Sequence, residues 1–193
     1  MKMKKIMLVS AVLVAVMLSV SLLVPTVLAA QKSIITLSLN IMHTKASDLN
    51  TLKDEIVLSR GLTLANGTGA NQADTVFHDN RTLADGANET LDLNDGTLSD
   101  QFGDAVTLDI LKTIYIKNNS SDASLLIGGA AATQLGLFAD GTDILTLRPG
   151  GEFFMTAADA NGIDTTTNPD LKMAHNGTGT SSLTYDIIVI GVD

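Results

Sequence analysis

Residues 64–93 read LANGTGANQADTVFHDNRTLADGANETLDL, and their punctuation decides the fold. Asn66-Gly67 with Gly69 makes one turn, and Ala84-Asp85-Gly86 makes the next. Glycine and asparagine reach the left-handed backbone region that such turns need at little steric cost. Between the turns, residues 75–83 predict a strand around Phe77, and residues 89–93 predict another. Turns this close together leave no room for a helical period.

The same pattern extends in both directions. Upstream, Ile35, Leu37, Leu39 and Ile41 alternate with Thr36, Ser38 and Asn40, the period of two that marks a half-buried strand. Ile56, Leu58, Leu62 and Leu64 repeat it, and residues 46–55 read as a polar loop with at most one helical turn. Downstream, Val106, Leu108 and Ile110 share a face, and Ile114 with Ile116 resume out of phase after Leu111. That phase change predicts a bulge or a break. Short strands follow at residues 125–127, 144–147, 152–156 and 171–175, with loops at 98–103, 118–122 and 159–169 and a small, unpatterned stretch at 130–136. Pro149-Gly150 suits a type II turn. Residues 184–190 form a β-branched last strand with Tyr185, Ile187 and Val189 on one side.

About ten short antiparallel strands with no fixed repeat predict a single all-β domain over residues 31–193. Its expected form is a β-sandwich of jelly-roll type.

An apolar helix is expected to precede it in residues 1–30. Lys2, Lys4 and Lys5 lead into an apolar run at residues 6–24, then Pro25 and Val27-Leu28-Ala29. A basic start, an apolar middle and small residues at the end are the layout of a signal peptide, cut here after Ala29 or Ala30. The run is also long enough to span a bilayer as an uncleaved anchor; the helix breaker and the alanine pair favour cleavage. The expected location is secreted or cell-surface, with membrane contact only through this segment if it is retained.

Charge and composition narrow the partners. The chain carries a net charge of −9, or −12 without the three leader lysines. Such a surface repels phosphate backbones, which argues against nucleic acid. The absence of cysteine excludes disulfides and thiolate metal sites.

Catalytic constellations are missing. His43, His78 and His175 lie far apart in sequence, no G-x-S-x-G occurs, and Asp92/Asp95 and Asp100/Asp104 sit in predicted turns. A non-enzymatic role is expected, with no cofactor. Calcium is the metal whose chemistry fits best: Asp159, Asn161 and Asp164 place three oxygen-bearing side chains around Gly162. The competing reading, ordinary Asx turns on an acidic surface, is the stronger. Six Asn-x-Ser/Thr triplets begin at Asn66, Asn80, Asn88, Asn118, Asn119 and Asn176, and turn chemistry accounts for them better than glycans do.

The aromatic residues point to packing. Tyr115 and Tyr185 fall in apolar strands and are expected in the core. Residues 135–138 and Phe153-Phe154 suit subunit contacts. The first strand, residues 34–42, is the natural candidate for pairing with another subunit's sheet edge. A homo-oligomer or larger assembly is expected. The alternative function is a secreted binding or adhesion module, calcium-stabilised, that recognises a glycan or a protein.

Several motifs in order carry a resemblance. Leu64–Asp74, His78-Asp79, Arg81-Thr82-Leu83 and Leu91-Asp92-Leu93 open it; Tyr115–Asn118, Gly128–Ala131, Pro149–Phe153, Ala158–Ala160 with Gly162, and Ser182–Gly191 continue it. Across nearly all of the chain after Gln31 this resembles the small virion-associated proteins of tailed bacteriophages and prophages. The resemblance implies a β-rich structural or decoration component of a particle, without enzymatic activity. The leader departs from that pattern, because such subunits are assembled in the cytoplasm.

Overall fold

The computed structural model describes residues 31–177 and 181–193. The expected leader helix, whether signal peptide or anchor, lies outside the described residues. Within them the chain is all-β and antiparallel, and no helix is long and apolar enough to cross a membrane.

Two sheets face each other as a sandwich. One has the strand order β10 (Glu152–Thr156), β7 (Ile110–Asn118), β13 (Leu183–Val192), β3 (Thr75–Leu83), and β11 (Ile163–Asp164) pairs with the start of β7. The other has the order β4 (Asn88–Asp92), β12 (Asp170–His175), β8 (Leu125–Gly128), β9 (Ile144–Leu147). Their inner faces meet in one core, where Phe77, Ile114, Ile116 and Ile187 of the first sheet join Leu91, Leu125, Ile127 and Met173 of the second. Each such side chain contributes roughly 1.5–3 kcal/mol through burial, and without disulfides this packing is the main source of stability. The strand β13 is central, paired antiparallel with β3 on one side and β7 on the other. Its alternation sends Leu183, Tyr185, Ile187 and Val189 fully inward.

The phase change predicted near Leu111 is a β-bulge. Ile190 pairs with Thr113 but Gly191 pairs with Leu111, so Lys112 is the extra residue on β7. The bulge lets both Leu111 and Ile114 face the core. Opposite it the strands approach so closely that a Cβ on Gly191 would meet the Ile110 carbonyl oxygen and the Leu108 side chain. Asn118, at the end of β7, fastens the two sheets together by donating to the carbonyls of Ala123 and Leu147 at 2.9 and 3.0 Å. That buried role accounts for one of the Asn-x-Ser triplets.

The front of the chain differs from expectation. Instead of short strands around a polar loop, β1 (Lys32–Ala46) and β2 (Thr51–Ala65) form one hairpin of two 15-residue strands. Only residues 47–50 turn, closed by the Ser47 amide on the Asn50 carbonyl at 2.9 Å. Charged residues on both faces of residues 51–55 hide the period of two, while the backbone still pairs in register with β1. Two further loops hold short strands: β5 (Leu98–Ser99) pairs with β6 (Ala105–Val106), and β11 lies within residues 159–169. Two residues are too few to show a period.

Candidate assembly surface

Directly opposed residues of an antiparallel pair point to the same face. In the hairpin this puts Ile35 beside Leu62, Leu39 beside Leu58, and Ile41 beside Ile56 on one side. Ser38 with Ser59, Met42 with Glu55, and Thr44 with Lys53 occupy the other. The first side carries an aliphatic ladder, interrupted where Arg60 stands opposite Leu37 and ending where His43 meets Asp54; the second is mixed, with Ile34, Met42 and Val57 among its polar residues.

Only the base of that ladder is buried within the chain. Leu64, fully buried, packs with Ile190 and Ala73, and Ile35, Leu62, Val76 and Ala158 gather around them. Backbone bonds hold this end: the Ala65 amide donates to the Asn71 carbonyl at 3.0 Å, the Ala73 amide to the Ala65 carbonyl at 2.9 Å, the Asn71 amide to the Ala158 carbonyl at 2.7 Å, and the Asp74 amide to the Gly191 carbonyl at 3.0 Å. Farther out the ladder faces solvent, with Leu39 45%, Ile41 44% and Ile56 52% exposed. A two-stranded hairpin is marginal in water without a partner for its apolar face.

The surface beneath the base is the outer face of the β10-β7-β13-β3 sheet, where the register sets side chains in rows. Thr156, Thr113, Ile190 and Val76 make one row, partly covered by the arm's base. Phe154, Tyr115, Ile188 and His78 make the next, and Glu152, Lys117, Asp186 and Asn80 the third. The middle row is aromatic and aliphatic over three strands, yet Phe154 is 40% and Ile188 37% exposed. Between it and Ile35–Leu37 of the arm runs a groove of about 320 Å³, with Thr113 in its lining. The Thr113 hydroxyl is buried there with no hydrogen-bond partner.

Tyr115 corrects an expectation. It stands in an apolar strand but faces outward into this groove, half-buried, while Tyr185 on the neighbouring strand β13 is in the core. Burial, then the neighbouring Glu152 carboxylate, pushes the Tyr115 phenol up. Glu152 also lies 3.6 Å from the Lys117 ammonium. The Asp186 carboxyl is held below its ordinary value by hydrogen bonds from Asn119 and then Asn80. The polar row is thus a linked set of charges bordering the apolar one.

The remaining candidates resolve into structural roles. Asp159 accepts the amides of Asn161 and Gly162 at 2.8 and 3.0 Å, and Asp164 accepts the amide and hydroxyl of Thr166 at 2.9 and 2.7 Å. These turn bonds hold both carboxyls below their ordinary values. The cation at this loop is the chain's own: Lys112, buried, donates to the carbonyls of Asp159 and Ala160. Among the described residues no three His, Asp or Glu side chains gather to hold a metal. Asp92 and Asp100 likewise accept amides within their own turns. His175 is buried, with its Nδ1 accepting the Gly177 amide at 3.0 Å.

A polar cluster does form where His78, Asp79 and Arg81 crowd together in sequence, but with different members. Arg81 bonds Glu89 through Nε at 2.8 Å and Asp79 through Nη1 at 2.8 Å, and the Tyr185 hydroxyl donates to Glu89 at 2.9 Å. His78 points to the opposite face of β3. The Glu89 contact secures the Arg81 charge, and burial followed by Glu89 pushes the Tyr185 phenol up. The cluster joins β3, β4 and β13 at an open side of the sandwich. Among the described residues outside the arm, the large apolar side chain with the highest exposure is Phe102, 89% exposed, at the tip of the β5–β6 turn.

No family model, curated protein or solved structure matches this chain.

Proposed function

We propose that the chain is a non-enzymatic structural subunit, exported to the cell surface or beyond, that assembles with itself or decorates a larger particle. The observation that carries this reading is the arm: two 15-residue strands in register whose aliphatic ladder is buried only at its base. An exposed apolar face of this regularity marks an interaction surface. The engagement of Asp92, Asp100, Asp159 and Asp164 in bonds of their own turns agrees with a structural role. The likeness of the motifs from Leu64 to Gly191 to virion-associated proteins agrees with a particle component. The layout of residues 1–30 supports export.

Light scattering and electron microscopy of the purified chain test it. Oligomers or ordered particles that dissociate when Leu39→Asp and Ile41→Asp are introduced are expected. A strict monomer at high concentration overturns the reading. A second reading, a binding module, is favoured by Phe102, presented on a turn whose Asp100 carboxylate accepts the Phe102 and Asp104 amides. In that case Phe102→Ala abolishes capture of a surface ligand and leaves the oligomeric state unchanged.

A further inference from the structure

We infer that the cleft between the base of the arm and the β10-β7-β13-β3 sheet binds a fatty acid. Its carboxylate lies at Arg60 and the threonine hydroxyls beneath, and its hydrocarbon tail lies along Phe154 and Ile188. The site is built within one chain and holds whether or not copies assemble.

At the base, Ile35, Leu62 and Leu64 close on Ile190 and Val76. Beyond that contact the arm leaves space beneath it. One space is the groove of about 320 Å³ between Ile35–Leu37 and the Phe154–Tyr115–Ile188 row. A second, of about 300 Å³, opens between Arg60 of the arm and Thr156 at the end of β10. Ile35, Leu37 and Phe154 line both, so the two adjoin under the arm. The arm and the sheet are thus the two walls of a cleft of small-ligand size, mostly apolar with a few polar groups.

Those polar groups are what select the ligand. The Thr113 hydroxyl, on the outer face of the sheet and in the lining of the groove, is buried with no hydrogen-bond partner. A buried hydroxyl left unpaired costs free energy that a ligand oxygen recovers. Thr156 stands directly opposite it on β10 and shares the second space with Arg60. Arg60 itself interrupts the aliphatic ladder, with Leu37 across from it and Leu58 and Leu62 two residues to either side. Its one hydrogen bond among the described residues goes to the neighbouring Ser59 carbonyl at 3.2 Å. The ion pairs among the described residues go to Arg81, Lys117 and His175 and leave Arg60 out.

A guanidinium and two hydroxyls can all donate, and a carboxylate offers only acceptors. Guanidinium also binds carboxylate by paired, charge-assisted bonds. The apolar walls require that this head carry a hydrocarbon body. An ammonium head is repelled by Arg60, and a neutral alcohol forgoes the charge. The carboxylate that lines the cleft, Glu152, lies two rows from Thr156 and is 3.6 Å from the Lys117 ammonium. It therefore leaves the Arg60 end free for an anion.

Isothermal titration calorimetry with decanoate, kept below its micelle concentration, tests this. Saturable binding is expected. n-Decanol, with the same tail and no charge, is expected to bind at least about tenfold more weakly. Arg60→Gln, checked for folding by circular dichroism, is expected to bring decanoate down to the level of n-decanol and to leave n-decanol unchanged. Thr113→Val is expected to weaken decanoate without lowering the melting temperature of the free chain, because the hydroxyl that it removes has no partner there.

Absence of decanoate binding, or equal affinity for decanoate and n-decanol, overturns the site. Equal decanoate affinity in the parent and in Arg60→Gln does the same, since the tail alone would then be recognised. Sedimentation with phosphatidylglycerol vesicles but no uptake of free decanoate gives the face to a membrane and overturns it. Assemblies that Arg60→Gln disperses, with no decanoate bound by the parent, give the cleft to a second copy and likewise overturn it.

Discussion

The Lys112 ammonium donates to the main-chain carbonyl of Asp159, across from the bulge that makes Lys112 an extra residue in β7. A second bond to Ala160 at 2.9 Å completes the hold on the loop. The lysine thus serves as a built-in cation for backbone oxygens. Burial draws its pKa down, and the Asp159 carboxylate partly opposes that shift.

Lys112→Met keeps most of the apolar stem and removes the charge that pairs with those carbonyls. Bonds to charged groups contribute more than neutral ones, and orphaned carbonyls add their own cost. A loss of about 2–4 kcal/mol in unfolding free energy by urea titration is expected. An unchanged midpoint would show that water takes over the role.

Calcium is expected to leave the melting temperature unchanged. The Asp159 and Asp164 carboxylates are engaged in turn bonds, and the loop carbonyls already face an ammonium group. Thermal melts with chelator and with millimolar calcium check this. A rise with calcium that Asp164→Asn removes would restore a metal site at this loop.

The Tyr185 phenol is held neutral in the fold by burial and by Glu89. Its folded pKa exceeds the ordinary value of 10.0, so above about pH 10 the unfolded chain releases a proton that the folded chain retains. Stability from this group is therefore full below pH 10 and lost as pH rises beyond it. Urea midpoints between pH 8 and 11 are expected to fall more steeply for the parent than for Tyr185→Phe. The shifts of Tyr115 and Lys112 are present in both chains, and they cancel in that difference. Parallel slopes would mean that Tyr185 ionises in the folded state.

Gly191→Ala is expected to destabilise by about 1–3 kcal/mol or more, the usual cost of forcing extra atoms into a packed site. Its Cβ has the Ile110 carbonyl oxygen and the Leu108 side chain in its way, and backbone cannot rotate aside. Gly150→Ala serves as the contrast: no atom lies near its Cβ, but its φ of 70° strains any other residue, so its loss is expected near 1 kcal/mol. Equal losses at both sites would place the cost in glycine's backbone freedom rather than in the bulge.

What the sequence determined by itself is the local grammar. The alternation of Tyr185, Ile187 and Val189 specifies a strand with one buried face, the glycine turns at Gly67 and Gly86 show the expected positive φ, and the slip after Leu111 announces a bulge, because each depends on residues a few positions apart. The tertiary structure alone decided which strands are neighbours. Phe154, Tyr115, Ile188 and His78 come from four separate stretches and become a row only through pairing between them. The same holds for Glu89 joining Arg81 and Tyr185, and for Lys112 meeting Asp159. Residues 51–55 misled for a related reason: their charges obscure the period of two, and only the register with β1 shows that the strand has already begun. Periodicity is written along a chain, whereas an assembly surface is written across it.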